Sequence, residues 1–310
     1  MRQTIDINNK ALILLYHGVT SAYYNDIKNY SGKHIHKDIF AKQMKILTTK
    51  CTPVSLRELS EMLTQKQKIP QRTVAVTFDD CFQNTYYNAM PVLKQYKIPA
   101  TFFITTGYVG TNRIIWTDIL EMIIADLKEK FIDFDFLDFS KQYPTETNKN
   151  KIKALLDIKS ILKSIDENKK QNIMKCLVDQ HKFQPSNTTT DLYSNLKWHQ
   201  LKEMDSDKLF EIGGHTVNHV ILSYVDLDIA KKEITDSKTI LEKNLNHPVD
   251  LFSYPEGQKD HYNDNIIKIL KENNFLCSPS AIWGDNAPGA DLFHLKRIMA
   301  GFNHIDFPYP

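Results

Sequence analysis

The sequence predicts an α/β protein whose strand count approaches that of a (β/α) barrel, and three observations carry that expectation. Short apolar runs rich in β-branched and aromatic residues alternate with amphipathic stretches at helical spacing, the order that produces a mostly parallel sheet. The runs at 11–16, 74–78 and 209–212 each lead straight into polar side chains capable of chemistry, and α/β folds build their sites at strand carboxyl ends. The alternation lapses between residues 112 and 195, which reads as a helical insertion within one domain spanning 1–310, either covering or extending the site or a solvated elaboration.

Taken in order, residues 11–16 form a buried strand ending at His17 and Gly18. Phe40, Met44 and Leu47 share a helical face within 36–49, and Ser55-x-x-Glu58 is a capping box opening a second helix with Leu56, Leu59, Met62 and Leu63 inward. A central strand at 74–78, a helix over 82–97 and a strand at 100–104 follow. The insertion holds helical stretches at 118–130, 149–165 and 167–181, with a Phe-rich alternating segment at 131–139. Alternation then resumes with strands at 209–212, 249–254, 275–279 and 295–299 and helices at 226–245 and 263–273.

Composition narrows the function classes. The net charge of +2 is spread over many mixed-sign segments, so nothing predicts nucleic-acid binding. Cys51, Cys81, Cys176 and Cys277 make no CxxC pair, which favours reduced, buried thiols over a disulfide framework or zinc ribbon. The apolar run at 11–15 is too short for a signal h-region or a membrane span. The expected location is cytoplasmic; oligomeric state is left open.

Three constellations carry chemistry. Asp79 and Asp80 follow the 74–78 strand; neighbours on a strand face opposite ways, so both serve one site only beyond its end, one holding a cation and the other handling a proton. As a plain alternative they open a loop and cap the next helix. His215 and His219 are four apart, so on a helical turn both imidazoles grip one cation, with Gly213-Gly214 turning the backbone into them. Paired histidines at that spacing are also common without a metal. Tyr254, Pro255 and Glu256 would form a rigid lip beside the site, or simply a good turn. One carboxylate with two imidazoles leaves coordination positions open, as a catalytic metal site does.

TFDD at 77–80, HTVNH at 215–219 and YPEG at 254–257 occur in the order and approximate separations of the polysaccharide deacetylases, the NodB-homology group of carbohydrate esterase family 4. LLYHGV at 14–19, PATFFI at 99–104 and LKWHQLKEM at 196–204 are further matches. The resemblance covers nearly the whole chain outside the insertion. It implies a distorted (β/α) barrel of the polysaccharide deacetylase type acting as a metal-dependent N-deacetylase on N-acetylated amino sugars of a glycan or glycan precursor. It assigns Asp79 as catalytic base, Asp80, His215 and His219 as ligands to a divalent metal, zinc first with cobalt or nickel as alternatives, and the Glu256 backbone N–H to the oxyanion.

Three departures accompany the resemblance. Cys81 stands where the family has glycine, and Ser253 where it often has an arginine that orients the base, a charge assigned instead to Arg297. The family's Leu-x-His acid has no clear match, so His294 is the candidate and His17 its substitute, with His17 and Arg297 otherwise beside the substrate. The rival readings are a metal-dependent amidohydrolase acting on a non-sugar amide and a non-catalytic glycan-binding relative.

Overall fold

The structure, a computed structural model, describes residues 9–24, 26–66, 68–136, 139–184, 191–302 and 305–309. Its centre is a parallel sheet of four apolar strands, β1 (Leu12–Tyr16), β5 (Thr73–Phe78), β6 (Ala100–Ile104) and β9 (Phe210–Gly214), in that spatial order. All four are buried almost throughout, as strands covered on both faces must be. Two short strands, β2 (Gly18–Thr20) and β3 (His34–His36), pair beside them, and β4 (Thr52–Pro53) adds to β5.

Register is what positions the site. Tyr16 lies opposite Phe78, Phe78 opposite Phe102, and Ile104 opposite Gly214. β1 and β5 therefore end level while β6 and β9 run two residues further, so His17, Asp79 and Asp80 leave the sheet beside the last residues of β6, and Thr105 and His215 follow at the same end. Beyond β9 the sheet continues through isolated parallel bridges, Gly214 to Phe252, Leu251 to Cys277, Pro279 to Leu295, and Ile298 back to Leu14. The circuit closes into a distorted β/α barrel. The strands expected at 249–254, 275–279 and 295–299 shrink to these contacts; Pro255 and Pro279 lack the N–H that a continuous ladder needs.

Helices α1 (Lys37–Lys50), α2 (Leu56–Thr64), α3 (Met90–Tyr96), α7 (Trp198–Asp205), α8 (Leu227–Leu245) and α9 (Asp264–Glu272) surround the sheet. Ser55 and Glu58 make the capping box reciprocally, at 2.8 and 3.1 Å. On α2, Ser60 rather than Met62 joins Leu56, Leu59 and Leu63 in the interior. Before α3 the chain widens into a π-helical turn, Thr85–Ala89, whose i+5 bond from Met90 absorbs the approach to Pro91.

Between β6 and α7 lie α4 (Trp116–Asp126), an antiparallel hairpin of β7 (Phe131–Phe136) and β8 (Phe139–Pro144), α5 (Asn148–Lys163) and α6 (Glu167–Gln180). Ile124, Phe134, Leu155, Ile158 and Leu177 give this region an apolar core of its own. All four cysteines are free; Cys81 and Cys277 are buried, Cys51 is half-buried, and Cys176 is exposed, contrary to its expected burial. Among the described residues no helix is long and apolar enough to cross a membrane.

Candidate metal centre

Asp80, His215 and His219 offer one ligand atom each, all within 4.8 Å of one another and all buried. Asp80 Oδ1 lies 3.1 Å from His219 Nε2 and 3.8 Å from His215 Nε2, yet it has no hydrogen-bond partner. His215 Nδ1 donates to the Ser253 carbonyl at 2.8 Å, which leaves the Nε2 lone pair facing a carboxylate oxygen. Two electron-rich atoms held face to face are repulsive unless a cation sits between them, and two imidazoles with one carboxylate suit a divalent transition metal.

The backbone around this set is strained, and the strain is local. Asp80, Thr216, His219 and Glu256 all adopt left-handed conformations, with φ of 76°, 62°, 58° and 59°, which costs on the order of 1–3 kcal/mol each. His215 and His219 therefore converge through a looped segment following β9, not through a helical turn. The Gly213-Gly214 pair is not a turn either: both residues belong to β9. A Cβ on Gly213 would lie 2.6 Å from the Phe103 ring and 2.8 Å from the Leu251 carbonyl. Glu233 of α8 holds the loop, accepting the backbone N–H groups of Val217 and Asn218 at 2.8 Å each and the Asn218 amide at 2.6 Å. Thr216 Oγ1 accepts the His219 N–H at 2.9 Å. Cys81 does not crowd the turn, since the left-handed residue is Asp80 and the Cys81 thiol packs into the main core.

Asp79 sits beside this set and is held differently. Arg297, 0% exposed, grips it in a bidentate pair, Nη1 to Oδ1 at 2.8 Å and Nη2 to Oδ2 at 2.7 Å. The guanidinium also donates to Ser253 Oγ at 2.9 Å, to the Ser280 carbonyl at 2.6 Å and to Thr77 Oγ1 at 3.3 Å. The orienting charge that the family often carries at position 253 thus comes, as expected, from Arg297, on the segment that bridges β1 at Ile298, reaching a small serine at 253. Burial opposes ionisation of Asp79, but Arg297 and His215 outweigh it and hold the carboxyl below the usual range. Burial likewise opposes Asp80, and His219 overcomes it. His215 is pushed down to about 4 by burial, with Asp79 opposing, whereas Asp80 outweighs burial at His219 and raises it.

These groups line a cleft of about 450 Å³ that His17, Glu256 and His261 also border. The other expected site residues fall outside it. His294 is 48% exposed in its side chain and accepts from or donates to the Tyr262 hydroxyl at 3.1 Å. Tyr254 is 1% exposed, stacks on Tyr262 and donates to the Phe293 carbonyl, so of the Tyr254, Pro255 and Glu256 lip only Glu256 borders the cleft. Arg297 faces Asp79 rather than the cleft. His17 has a buried Nδ1 without a partner and lies edge-on to Phe302; burial lowers its pKa against the pull of Asp80 and Asp79.

The inserted region supplies most of the remaining wall, through residues that no sequence motif singles out. Lys33, Asp118, Glu121, Lys159 and Lys163 line the cleft, with Lys33 paired to Asp118 at 2.6 Å and Lys163 to Glu256 at 2.5 Å. The spacing of Leu156, Lys159, Ser160 and Lys163 marks one helical face, and that was the available signal.

Residues 66–277 match the family described as polysaccharide deacetylase. A Staphylococcus aureus protein named poly-beta-1,6-N-acetyl-D-glucosamine N-deacetylase is 38% identical over 136 residues, 40% of this chain and 44% of the relative. The chain thus spans less than half the length of the S. aureus relatives it matches. A protein of the same name from Staphylococcus epidermidis is 26% identical over 308 residues, 94% of this chain and 79% of that one. The solved structure of IcaB from Ammonifex degensii is similar in fold, with a TM-score of 0.60, 20% identity, and coverage of 94% of this chain and 92% of that one.

Proposed function

Because the chain belongs to the polysaccharide deacetylase family, we propose that it hydrolyses the acetamide of N-acetylated amino sugars in a glycan, as the names of its staphylococcal relatives suggest. The observation that carries this reading is an ionised Asp79 beside three convergent donors, Asp80, His215 and His219, whose orphaned oxygen and bare lone pair call for a cation.

Asp80, His215 and His219 would hold a divalent metal, zinc by preference. Such an ion supplies Lewis acidity, making water a competent nucleophile near neutral pH and polarising the acetyl oxygen. Asp79 takes the proton from the attacking water. Its guanidinium-facing lone pairs are engaged by Arg297, which fixes the carboxylate plane and leaves outward lone pairs for that proton. The Ser253 carbonyl holds His215 in the tautomer that presents Nε2. His17, in the cleft where His294 is not, would deliver a proton to the departing amine nitrogen from its imidazolium form, which the charges of Asp80 and Asp79 favour against burial. Acetate and a free amino sugar leave.

Elemental analysis and acetate release on purified variants test the assignment. Asp79→Asn retains metal and loses nearly all acetate release from N-acetylglucosamine oligomers; His215→Ala loses both. An active Asp79→Asn protein removes Asp79 as the base, and a His215→Ala protein that keeps full metal content removes the centre.

A further inference from the structure

Helix α5 has two faces. Ala154, Leu155, Ile158 and Leu162 are buried in the core of the inserted region, while Leu156, Lys159, Ser160 and Lys163, at i, i+3, i+4 and i+7, line the same cleft as Asp79 and Asp80. The cleft holds three lysines. Lys163 is neutralised by Glu256 at 2.5 Å and Lys33 by Asp118 at 2.6 Å. Lys159 has no hydrogen-bond or ion-pair partner among the described residues; its ammonium lies 5.2 Å from the Tyr30 ring centroid. The carboxylates that act on it do so from a distance: Glu121 already accepts from the Asn29 N–H at 2.8 Å and the Tyr193 hydroxyl at 3.1 Å. Burial pushes the Lys159 ammonium down to about 8, with Glu121 and Asp118 opposing. A partly desolvated cation with no acceptor for its protons is stabilised by any ligand that brings one.

We propose that Lys159 is the recognition point for an acidic substituent, a carboxylate or a phosphate, on the glycan that enters the cleft, so that α5 selects anionic N-acetylated substrates over neutral ones. The proposal rests on the deacetylase reading for its place beside the reacting amide, although the binding it describes does not require turnover. A lysine serves carboxylate and phosphate alike, as a point charge with three rotatable donors. The Tyr30 ring, 5.2 Å from the ammonium, gives it an aromatic face on one side and leaves its N–H groups for an anionic ligand.

The test uses two pairs of sugars on the zinc-loaded protein: an N-acetylglucosamine tetramer against a tetrasaccharide alternating N-acetylglucosamine with glucuronate, and N-acetylglucosamine against its 1-phosphate. In at least one pair, kcat/KM favours the acidic member by about tenfold at low salt, the scale of one exposed charge-assisted hydrogen bond. The preference falls to near unity in Lys159→Met and returns in Lys159→Arg; the pair that shows it tells carboxylate from phosphate. No preference in either pair, or a preference that survives in Lys159→Met, overturns the proposal. If the wild-type protein cleaves none of the sugars, the deacetylase reading fails by itself. Calorimetric binding of the same pairs then decides the proposal: an acidic preference lost in Lys159→Met upholds it, and equal binding overturns it.

Discussion

Replacing Arg297 by Met strips a buried charge of its partner, and the structure sets the size of the effect. Asp79 is 6% exposed, and after the change Ser253 Oγ, at 3.3 Å, is the side-chain donor left to it. Removing one member of a buried, bidentate pair costs about 3–5 kcal/mol, because the other is left uncompensated. With about 2.1 cal/mol/K of unfolding entropy per residue over 310 residues, that predicts a fall in thermal midpoint of roughly 5–8 °C. The pH dependence separates this cause from a packing defect. In the wild-type protein the folded Asp79 carboxyl titrates below its usual value, so the pair's contribution is present above about pH 3.9 and fades as pH falls through the lower folded value. In Arg297→Met burial loses its main opponent and the folded value rises. The destabilisation then grows as pH rises above about 4 and is relieved on acidification. Urea unfolding of chelator-treated wild type, Arg297→Met, Asp79→Asn and the double variant at neutral and acidic pH completes the cycle, with an expected coupling of at least about 2 kcal/mol at neutral pH. A single-variant loss below about 1 kcal/mol, or one that is the same at both pH values, refutes the desolvated pair.

Two further outcomes follow from the loops. Glu233→Gln weakens the clamp on Val217 and Asn218 without touching a metal-facing atom, so metal affinity should drop by about 10–100-fold while the fold persists; competition against a chromophoric chelator measures it, and unchanged affinity dismisses the clamp. Glu256 is opposed by burial but held down to about 2 by Lys163 and His219. Its contribution is therefore full above about pH 4.3 and lost as pH falls toward the folded value. Glu256→Gln should flatten that part of the acid-stability curve, and parallel curves for the two proteins would exclude the assignment.

How much of this was legible depended on which physical rule each residue obeyed. The strands ending at Tyr16, Phe78 and Gly214 announced themselves by apolar runs, and the polar residues after them had to lie at one end of a parallel sheet. His215 and His219 do converge with Asp80, but by another geometry than their spacing suggests: a spacing of four points to a helix, whereas two left-handed residues bring the rings together. His294 was misplaced because a Leu-x-His pattern says nothing about register, and the isolated Pro279–Leu295 bridge leaves the ring outside. That the insertion extends the site was readable from where the alternation lapses, but which α5 residues face the cleft was not, because periodicity reveals which side chains share a face, not what that face meets.

The strain at the site bears on why those loops could not be read. A left-handed Thr216 or His219 is unfavourable in isolation, so local propensity argues against the very backbone that the site uses. It persists because Glu233, the Ser253 carbonyl and the pairing of Ile104 with Gly214 over-determine the loop from three other elements. Asp80 is the same case on the other strand, with its carbonyl accepting from the Thr105 N–H and the Cys81 carbonyl from the Leu196 N–H. Convergence of the donors, not comfort of the backbone, is what these contacts enforce. Sequence rules fail there for a physical reason: they weigh neighbours along the chain, and this geometry is decided by residues as far as 220 positions apart.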